Sequence, residues 1–124
     1  MVEVKEIGKN FKGLFATQRI NKNQLILVLD GDGFDEPSRT SIQVRDLHVE
    51  DEMGGFMNHH CDPSAKIVTL QDHGIIEPLV IASRKINQGE QVTFNYNTTE
   101  EIMKVPFKCY CHGKWIRGYM VNLI

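Results

Sequence analysis

Short β-prone runs, each closed off by turn residues, constrain this chain more than any other feature. Leu25 to Leu29, Thr40 to Val44, Lys66 to Leu70, Leu79 to Ala82 and Gln91 to Tyr96 are rich in Val, Ile, Leu or Phe. Between and around them stand Asn21-Lys22-Asn23, Asp30-Gly31-Asp32-Gly33, Asp62-Pro63-Ser64, His73-Gly74 and Asn87-Gln88-Gly89. Gly takes positive φ without a Cβ penalty and Asn or Asp tolerates it, so these clusters reverse the chain rather than extend it. The expectation is a mainly β fold of several short folded-over sheets. One short helix is expected over 98–105, where Thr98 and Glu101 have capping-box spacing and Pro106 would end it.

With 124 residues the chain is sized for a single core, and no repeat or linker divides it. Its 41% hydrophobic and 24% charged residues exclude the disordered, collagen-like and membrane-spanning classes. The N-terminal Met1 to Glu6 has neither the basic segment nor the apolar run of a secretory signal, so an intracellular protein, nuclear or cytoplasmic, is expected, with no membrane partner. A formal charge of −2 gives no basic excess for phosphate binding, so direct nucleic-acid binding is not expected and a basic partner fits better. Three cysteines, an odd number in a chain without an export signal, point to free thiols or a metal rather than a disulfide framework.

The chemistry-bearing residues fall in three places. Phe56-Met57-Asn58-His59-His60-Cys61-Asp62-Pro63 packs hydrogen-bonding groups directly behind an apolar pair. Ile86-Asn87-Gln88-Gly89-Glu90 leads into a strand ending Phe94-Asn95-Tyr96, and Gly13-Leu14-Phe15-Ala16 is a Gly-led entry to another. Taken singly, Asn58 and His59 fit turn caps and Tyr96 fits ordinary packing with a hydrogen-bonded tip. Two further clusters carry less. Asp30 to Asp35 has Phe34 where a calcium loop needs oxygen. The adjacent side chains of His59 to Asp62 alternate faces in an extended segment and do not converge as a hydrolase metal cluster.

In their order and spacing these pieces resemble the SET-domain family of protein lysine methyltransferases, over nearly the whole chain. Asn58-His59-His60-Cys61-Asp62-Pro63 resembles the family's Asn-His-Ser-Cys-x-Pro signature with His60 for Ser. Gly89-Glu90 through Phe94-Asn95-Tyr96 resembles its Gly-Glu-Glu-(Leu/Ile)-x-Phe-Asp-Tyr strand. Phe107-Lys108-Cys109-Tyr110-Cys111 resembles the cysteine-rich segment after the core. The chain departs from the family at Phe11-Lys12-Gly13, where Gly-x-Gly is usual, at Gly55, where many members carry Arg, and at Ser64, where Asn often follows the Pro.

The resemblance implies a β-clip SET core at 1–106 and a post-SET-like tail at 107–124 within one structural domain. The Asn58-His59 segment and the last strand would pass each other as a pseudoknot. It implies S-adenosylmethionine as methyl donor, bound by Lys12, Gly13, Leu14, Phe15, Asn58, His59, Tyr96 and Tyr110, with Trp115 a second ring able to cover adenine. Tyr96 would be the catalytic tyrosine, in a substrate-lysine channel walled by Phe56, Phe94, Tyr96 and Tyr119. Phe rather than Tyr at position 94 implies room for di- or trimethylation. The substrate would be a lysine of a protein, a histone tail or another basic segment, with selectivity from the stretch at 34–52 or from partners. The alternatives are a non-catalytic SET-like peptide-binding module and a small zinc-stabilised adaptor.

The chemistry of amine methylation is consistent with such a channel. A lysine ammonium with a pKa of about 10.4 is roughly 3 units from neutral at pH 7, which costs on the order of 4 kcal/mol to deprotonate. An apolar wall and a nearby sulfonium both lower that cost. Alignment of nitrogen, methyl carbon and sulfur then supplies much of the remaining acceleration. Tyr96, with an ordinary pKa near 10, is expected to orient rather than to act as general base.

In family members with a zinc site, one ligand comes from the Asn-His-Ser-Cys segment and three from Cys-x-Cys-x4-Cys. Here Cys61, Cys109 and Cys111 correspond, and Ile116 stands at the last position. His112 is the nearest imidazole, but its adjacency to Cys111 makes the geometry awkward. The tail is therefore expected to pack through free thiols, with zinc as the alternative.

Overall fold

A computed structural model describes residues 1–118, with the backbone alone at Asp72. Within it the chain is mainly β, built of twelve short strands in five small sheets. β1 (Val2–Gly8) pairs antiparallel with β2 (Phe11–Ala16), placing Val4 against Leu14 and Lys5 against Gly13. β1 has the period-2 pattern of a strand with one buried face: Val2 and Val4 pack on the core while Glu3 and Lys5 face outward. Asn10, at φ 62°, makes the reversal between the two strands.

β3 (Leu25–Val28), β8 (Ala65–Asp72) and β9 (Ile75–Ala82) form an antiparallel sheet with β9 in the middle. His73 and Gly74, both at positive φ, make the tight β8–β9 hairpin. A second three-stranded sheet orders β4 (Asp32–Phe34), β6 (Leu47–Glu50) and β5 (Ile42–Val44). The Asp30 to Gly33 cluster is thus partly strand, because Asp32 and Gly33 pair with Glu50 and Val49.

β7 (Asn58–His59) and β10 (Thr93–Phe94) pair in parallel, Thr93 opposite Asn58 and Phe94 opposite His59. This crossing sits over the core of Leu14, Ile20, Met57, Val80, Ile86, Val92 and Phe94, all at most 2% exposed. Ser64, fully buried, pins it. Its hydroxyl accepts the Thr93 N–H at 3.0 Å and donates to the Gln91 carbonyl at 3.0 Å. Its own N–H donates to Thr93 Oγ1 at 3.2 Å, and its carbonyl accepts from Ser83 N–H.

The helix expected over 98–105 does not form. The Asn95 side chain instead caps a single 3-10 turn at Tyr96–Thr98. The following residues then turn outward to tertiary partners. Glu100 accepts the Gln43 N–H, Glu101 N–H donates to Gln43 Oε1, and Met103 N–H donates to the Arg117 carbonyl. Glu100 N–H still meets the Tyr96 carbonyl four residues back, but the Glu101 and Met103 N–H groups that would continue an i→i−4 ladder are taken by these tertiary partners. β11 (Phe107–Lys108) and β12 (Trp115–Ile116) close the tail as a hairpin.

Candidate functional site

Two faces of the parallel crossing carry polar chemistry. On the first, the Asn58 amide donates to the Lys12 carbonyl at 3.1 Å and to Gln91 Oε1 at 2.7 Å. Gly13 lies beneath, and a Cβ there would come within 2.8 Å of Gln91 Oε1 and 3.1 Å of Asn58 Nδ2. The absence of a side chain at 13 therefore lets the strand run directly under the Asn58 amide. Val92 N–H donates to the Leu14 carbonyl at 2.7 Å and Phe15 bridges to Gln91, so β2 is fixed against the crossing. Lys12, Gly13, Phe15 and Asn58 are brought together, while the Leu14 side chain turns into the core and contributes only its backbone carbonyl, which accepts from Val92 N–H.

On the second face, Tyr96 leaves β10 with its hydroxyl donating to the Met57 carbonyl at 2.6 Å. Its N–H donates to His59 Nδ1 at 3.0 Å. A ring cluster surrounds it: His59 and Tyr96 meet edge to face at 5.3 Å, Phe94 and Tyr96 lie 4.8 Å apart, and Phe107 stands 5.8 Å from both His59 and Tyr96. Burial and the nearby Glu100 carboxylate hold the Tyr96 phenol above its ordinary range. Burial, reinforced by His60 and His112, lowers the His59 imidazole to about 4, so it is neutral near pH 7.

A cleft of about 340 Å³, counting its open mouth, runs from Tyr96 and Phe94 past Met57 and Glu100 to Arg39 and Ile42. One wall is the segment 38–42 that leads into β5, the stretch from which selectivity is expected. Phe94 and Tyr96 line this cleft. Phe56 does not, since its ring lies under Lys12 Nζ at 5.7 Å. Tyr110 is 100% exposed and Trp115 is largely exposed, so neither ring covers the Asn58 face here. Tyr119 lies outside the described residues. Phe107 and Glu100 do not stand out in the sequence as site residues; the position of Phe107 two residues before Cys109 is the one signal it carries.

Glu100 is buried, and its carboxyl is held above the usual range by that burial, only partly offset by the bonds from Gln43 N–H and Thr99 Oγ1–H and by His48. A carboxyl whose folded-state pKa is raised contributes stability fully present below its unfolded value, about 4.5, and lost as pH rises through the folded value. Glu100→Gln keeps an acceptor for both bonds and removes the titration. Denaturant titrations of the two proteins from pH 4 to 8 are expected to show the variant gaining on wild type as pH rises, and a pH-independent difference would refute this.

Cys61, Cys109 and Cys111 are free thiols that converge from β7's C-terminal side and the tail hairpin, 3.8 Å separating Cys61 Sγ from Cys109 Sγ. His59 Nε2 joins them, and the four donor atoms lie within 4.8 Å of one another. Burial and the neighbouring thiols push Cys61 up to about 12. At Cys109 burial acts in the same direction but is outweighed by the backbone N–H groups of His112 and Lys114 and by the other thiols, bringing it to about 7. The cluster's fourth donor comes from the Asn-His segment, not from the tail, where Ile116 is buried at 1% exposure. His112 faces Asp62 at 3.7 Å.

No helix among the described residues is long and apolar enough to cross a membrane. Comparison with known proteins gives the family. The chain is 27% identical over 128 residues, 87% of its length, to an H3 lysine-4 specific histone-lysine N-methyltransferase of Schizosaccharomyces pombe. It is 27% identical over 139 residues, 96% of its length, to an H3 lysine-36 specific histone-lysine N-methyltransferase of Yarrowia lipolytica. It is 28% identical over 78 residues, 63% of its length, to histone-lysine N-methyltransferase ASHH2 of Arabidopsis thaliana. These matches span 14%, 18% and 4% of the relatives' own lengths. The family model described as SET domain matches residues 12–97, a stretch that begins on the Gly13 strand, contains the β7–β10 crossing and ends just beyond Tyr96, and the chain belongs to that family.

Proposed function

We infer that the protein transfers a methyl group from S-adenosylmethionine to the side-chain amine of a lysine in a protein. The observation that carries this reading is the parallel β7–β10 crossing. It carries the Asn58 face, bonded to the Lys12 carbonyl, and on its other face Tyr96, whose hydroxyl is bonded to the Met57 carbonyl and which lines a cleft with Phe94 and Met57. S-adenosylmethionine, when bound, supplies a methyl carbon activated by a positive sulfur. Asn58, Gly13 and the Lys12 carbonyl would hold it, and Phe94 and Tyr96 would hold the amine in line from the cleft.

An amine entering between Phe94 and Tyr96 leaves water behind, which favours its neutral, nucleophilic form. The Tyr96 phenol keeps its proton, because burial and Glu100 hold it above its ordinary range. It therefore orients by donating or accepting a hydrogen bond and does not remove the substrate proton. That proton leaves to solvent through the cleft mouth.

A histone tail is the first substrate class to test, since the relatives from S. pombe and Y. lipolytica act on histones by their names and a net charge of −2 suits a basic peptide. Incubation with labelled donor, against core histones and cell lysate, is expected to label protein lysines, and binding of the donor is expected by calorimetry. A chain that neither binds donor nor yields product would be a peptide-binding SET module instead.

Phe94 is buried against Tyr96 with no polar atom to hold a water or an amine hydrogen. Di- and trimethyllysine are therefore the expected products at excess donor. Phe94→Tyr adds a hydroxyl to the cleft lining beside Tyr96 and is expected to move the product toward monomethyllysine by mass spectrometry, while equal product distributions would refute the assignment. Residues 1–106 and 107–124 are proposed as core and tail of the same domain.

A further inference from the structure

We propose that Gln91 is a positioning residue for the methyl donor. It accepts one N–H of the Asn58 side-chain amide while the Lys12 carbonyl accepts the other, and so fixes which end of that amide is left for a ligand. This rests on the methyl-transfer reading and concerns a residue that the family resemblance does not assign to the donor site.

A primary amide has two N–H donors on its nitrogen and one carbonyl oxygen. Asn58 Nδ2 lies 2.7 Å from Gln91 Oε1 and 3.1 Å from the Lys12 carbonyl oxygen. A backbone carbonyl can only accept, so the nitrogen end of the Asn58 amide is the end turned toward Lys12, and the Gln91 atom that meets it is an oxygen. Both donors are thus spent inside the protein. Oδ1 is what remains for a ligand, and an oxygen selects groups that carry N–H or O–H. On S-adenosylmethionine the ammonium, the adenine amine and the ribose hydroxyls qualify, whereas the carboxylate does not. Turning the Asn58 amide over would set its oxygen against the Lys12 carbonyl, and against Gln91 as well unless that side chain turned with it.

The backbone of Gln91 is held at two points. Its carbonyl accepts the Ser64 hydroxyl at 3.0 Å, and it bridges to Phe15 on β2. Gly13 supplies the space for its side chain. A Cβ at Gly13 would stand 2.8 Å from Gln91 Oε1 and 2.7 Å from Ile7 Cδ1, so the room left by the missing side chain is taken up by the Gln91 end of the amide pair and by Ile7. Gly13 therefore serves the amide pair before it serves a ligand. Gln91 stands where the family's strand has its second Glu. Either residue can accept the Asn58 N–H, so the substitution keeps the orientation of Asn58 while removing a formal negative charge from beside it.

The test is calorimetry of S-adenosylmethionine binding to the full chain as wild type, Gln91→Leu and Gln91→Glu. Leucine fills similar space and accepts nothing. Gln91→Leu is expected to weaken donor binding about three- to tenfold, as for loss of one hydrogen bond, raising the donor KM in proportion with kcat and thermal midpoint little changed. Gln91→Glu is expected to recover most of that loss, because a carboxylate oxygen accepts the same N–H. Equal affinity in wild type and a folded Gln91→Leu protein, or a Gln91→Glu protein as weak as Gln91→Leu, would overturn this inference and leave the methyl-transfer reading standing. A wild-type chain that does not bind the donor would overturn that reading and this inference with it. One measurement needs neither donor nor variant. By NMR, both Asn58 side-chain N–H protons are expected to exchange with water more slowly than those of the exposed Asn23. Exchange of either as fast as at Asn23 would also overturn the assignment.

Discussion

Tyr96→Phe is expected to reduce methyl transfer by about a hundredfold or more while leaving the fold in place. The hydroxyl does one structural job, a 2.6 Å bond to the Met57 carbonyl, worth about 1 kcal/mol net. Tyr96 lines the cleft, so water can reach that carbonyl when the hydroxyl is gone. The catalytic cost is expected to be larger because, in the proposed reaction, the same hydroxyl would set where an amine nitrogen stops relative to the Asn58 face. Misplacement of a reacting atom by about 1 Å is enough for a loss of about 10².

The comparison to make is kcat against thermal midpoint for the two proteins. A fall in both by destabilisation, with donor binding lost, would mean the hydroxyl is structural only. The pH profile adds a second check. Since the Tyr96 phenol is held above its ordinary range, ionisation of Tyr96 should not appear as a falling limb between pH 8 and 10. A rising limb there tracks deprotonation of the substrate lysine and should persist in the variant at reduced amplitude.

How much of this is legible in the sequence depends on how local each cause is. Strands announce themselves where apolar runs meet Gly, Asn or Asp turns, as at Leu25–Val28 and Ile75–Ala82, because pattern and turn chemistry act within a few residues. The Asn58, His59 and Tyr96 set is legible only through its resemblance to a family. Nothing in residue spacing says that β7 and β10 pair in parallel. The expected helix at 98–105 fails for a related reason. The capping-box spacing of Thr98 and Glu101 is real, but Gln43, some 57 residues away, takes both the Glu100 carboxylate and the Glu101 N–H. A tertiary partner offering two hydrogen bonds overrides a propensity worth tenths of a kcal/mol per residue. The thiol cluster lacks a fourth donor in the sequence because the tail holds none at the expected spacing. The imidazole that completes the cluster belongs to the motif that the resemblance gives to the donor site. One neutral ring serves both the Tyr96 amide and the Cys61 sulfur.

Ser64 is where the sequence departs from the family's usual Asn, and its burial and hydrogen bonds make it a sensitive position for stability. Its hydroxyl, with no exposed surface, both accepts from Thr93 N–H and donates to the Gln91 carbonyl, closing the loop of chain through which the crossing forms. Ser64→Ala leaves the buried Thr93 N–H and the part-buried Gln91 carbonyl without that partner. At about 1–3 kcal/mol for the unsatisfied buried donor and about 1 kcal/mol for the part-buried acceptor, which water can partly reach, the expected loss is about 2–4 kcal/mol, enough to lower the thermal midpoint of a domain this size by about 10 °C or more.

Thr93 Oγ1 lies 3.4 Å from Ser64 Oγ and accepts the Ser64 N–H, so it is already committed and is not placed to replace the lost hydroxyl. Ser64→Thr keeps the hydroxyl but must fit a methyl into a site with no exposed surface, and it is expected to recover only part of the loss. Denaturant unfolding of the three proteins distinguishes hydrogen bonding from packing. A Ser64→Ala stability within about 0.5 kcal/mol of wild type, the range of ordinary surface changes, would show that the crossing does not depend on this hydroxyl.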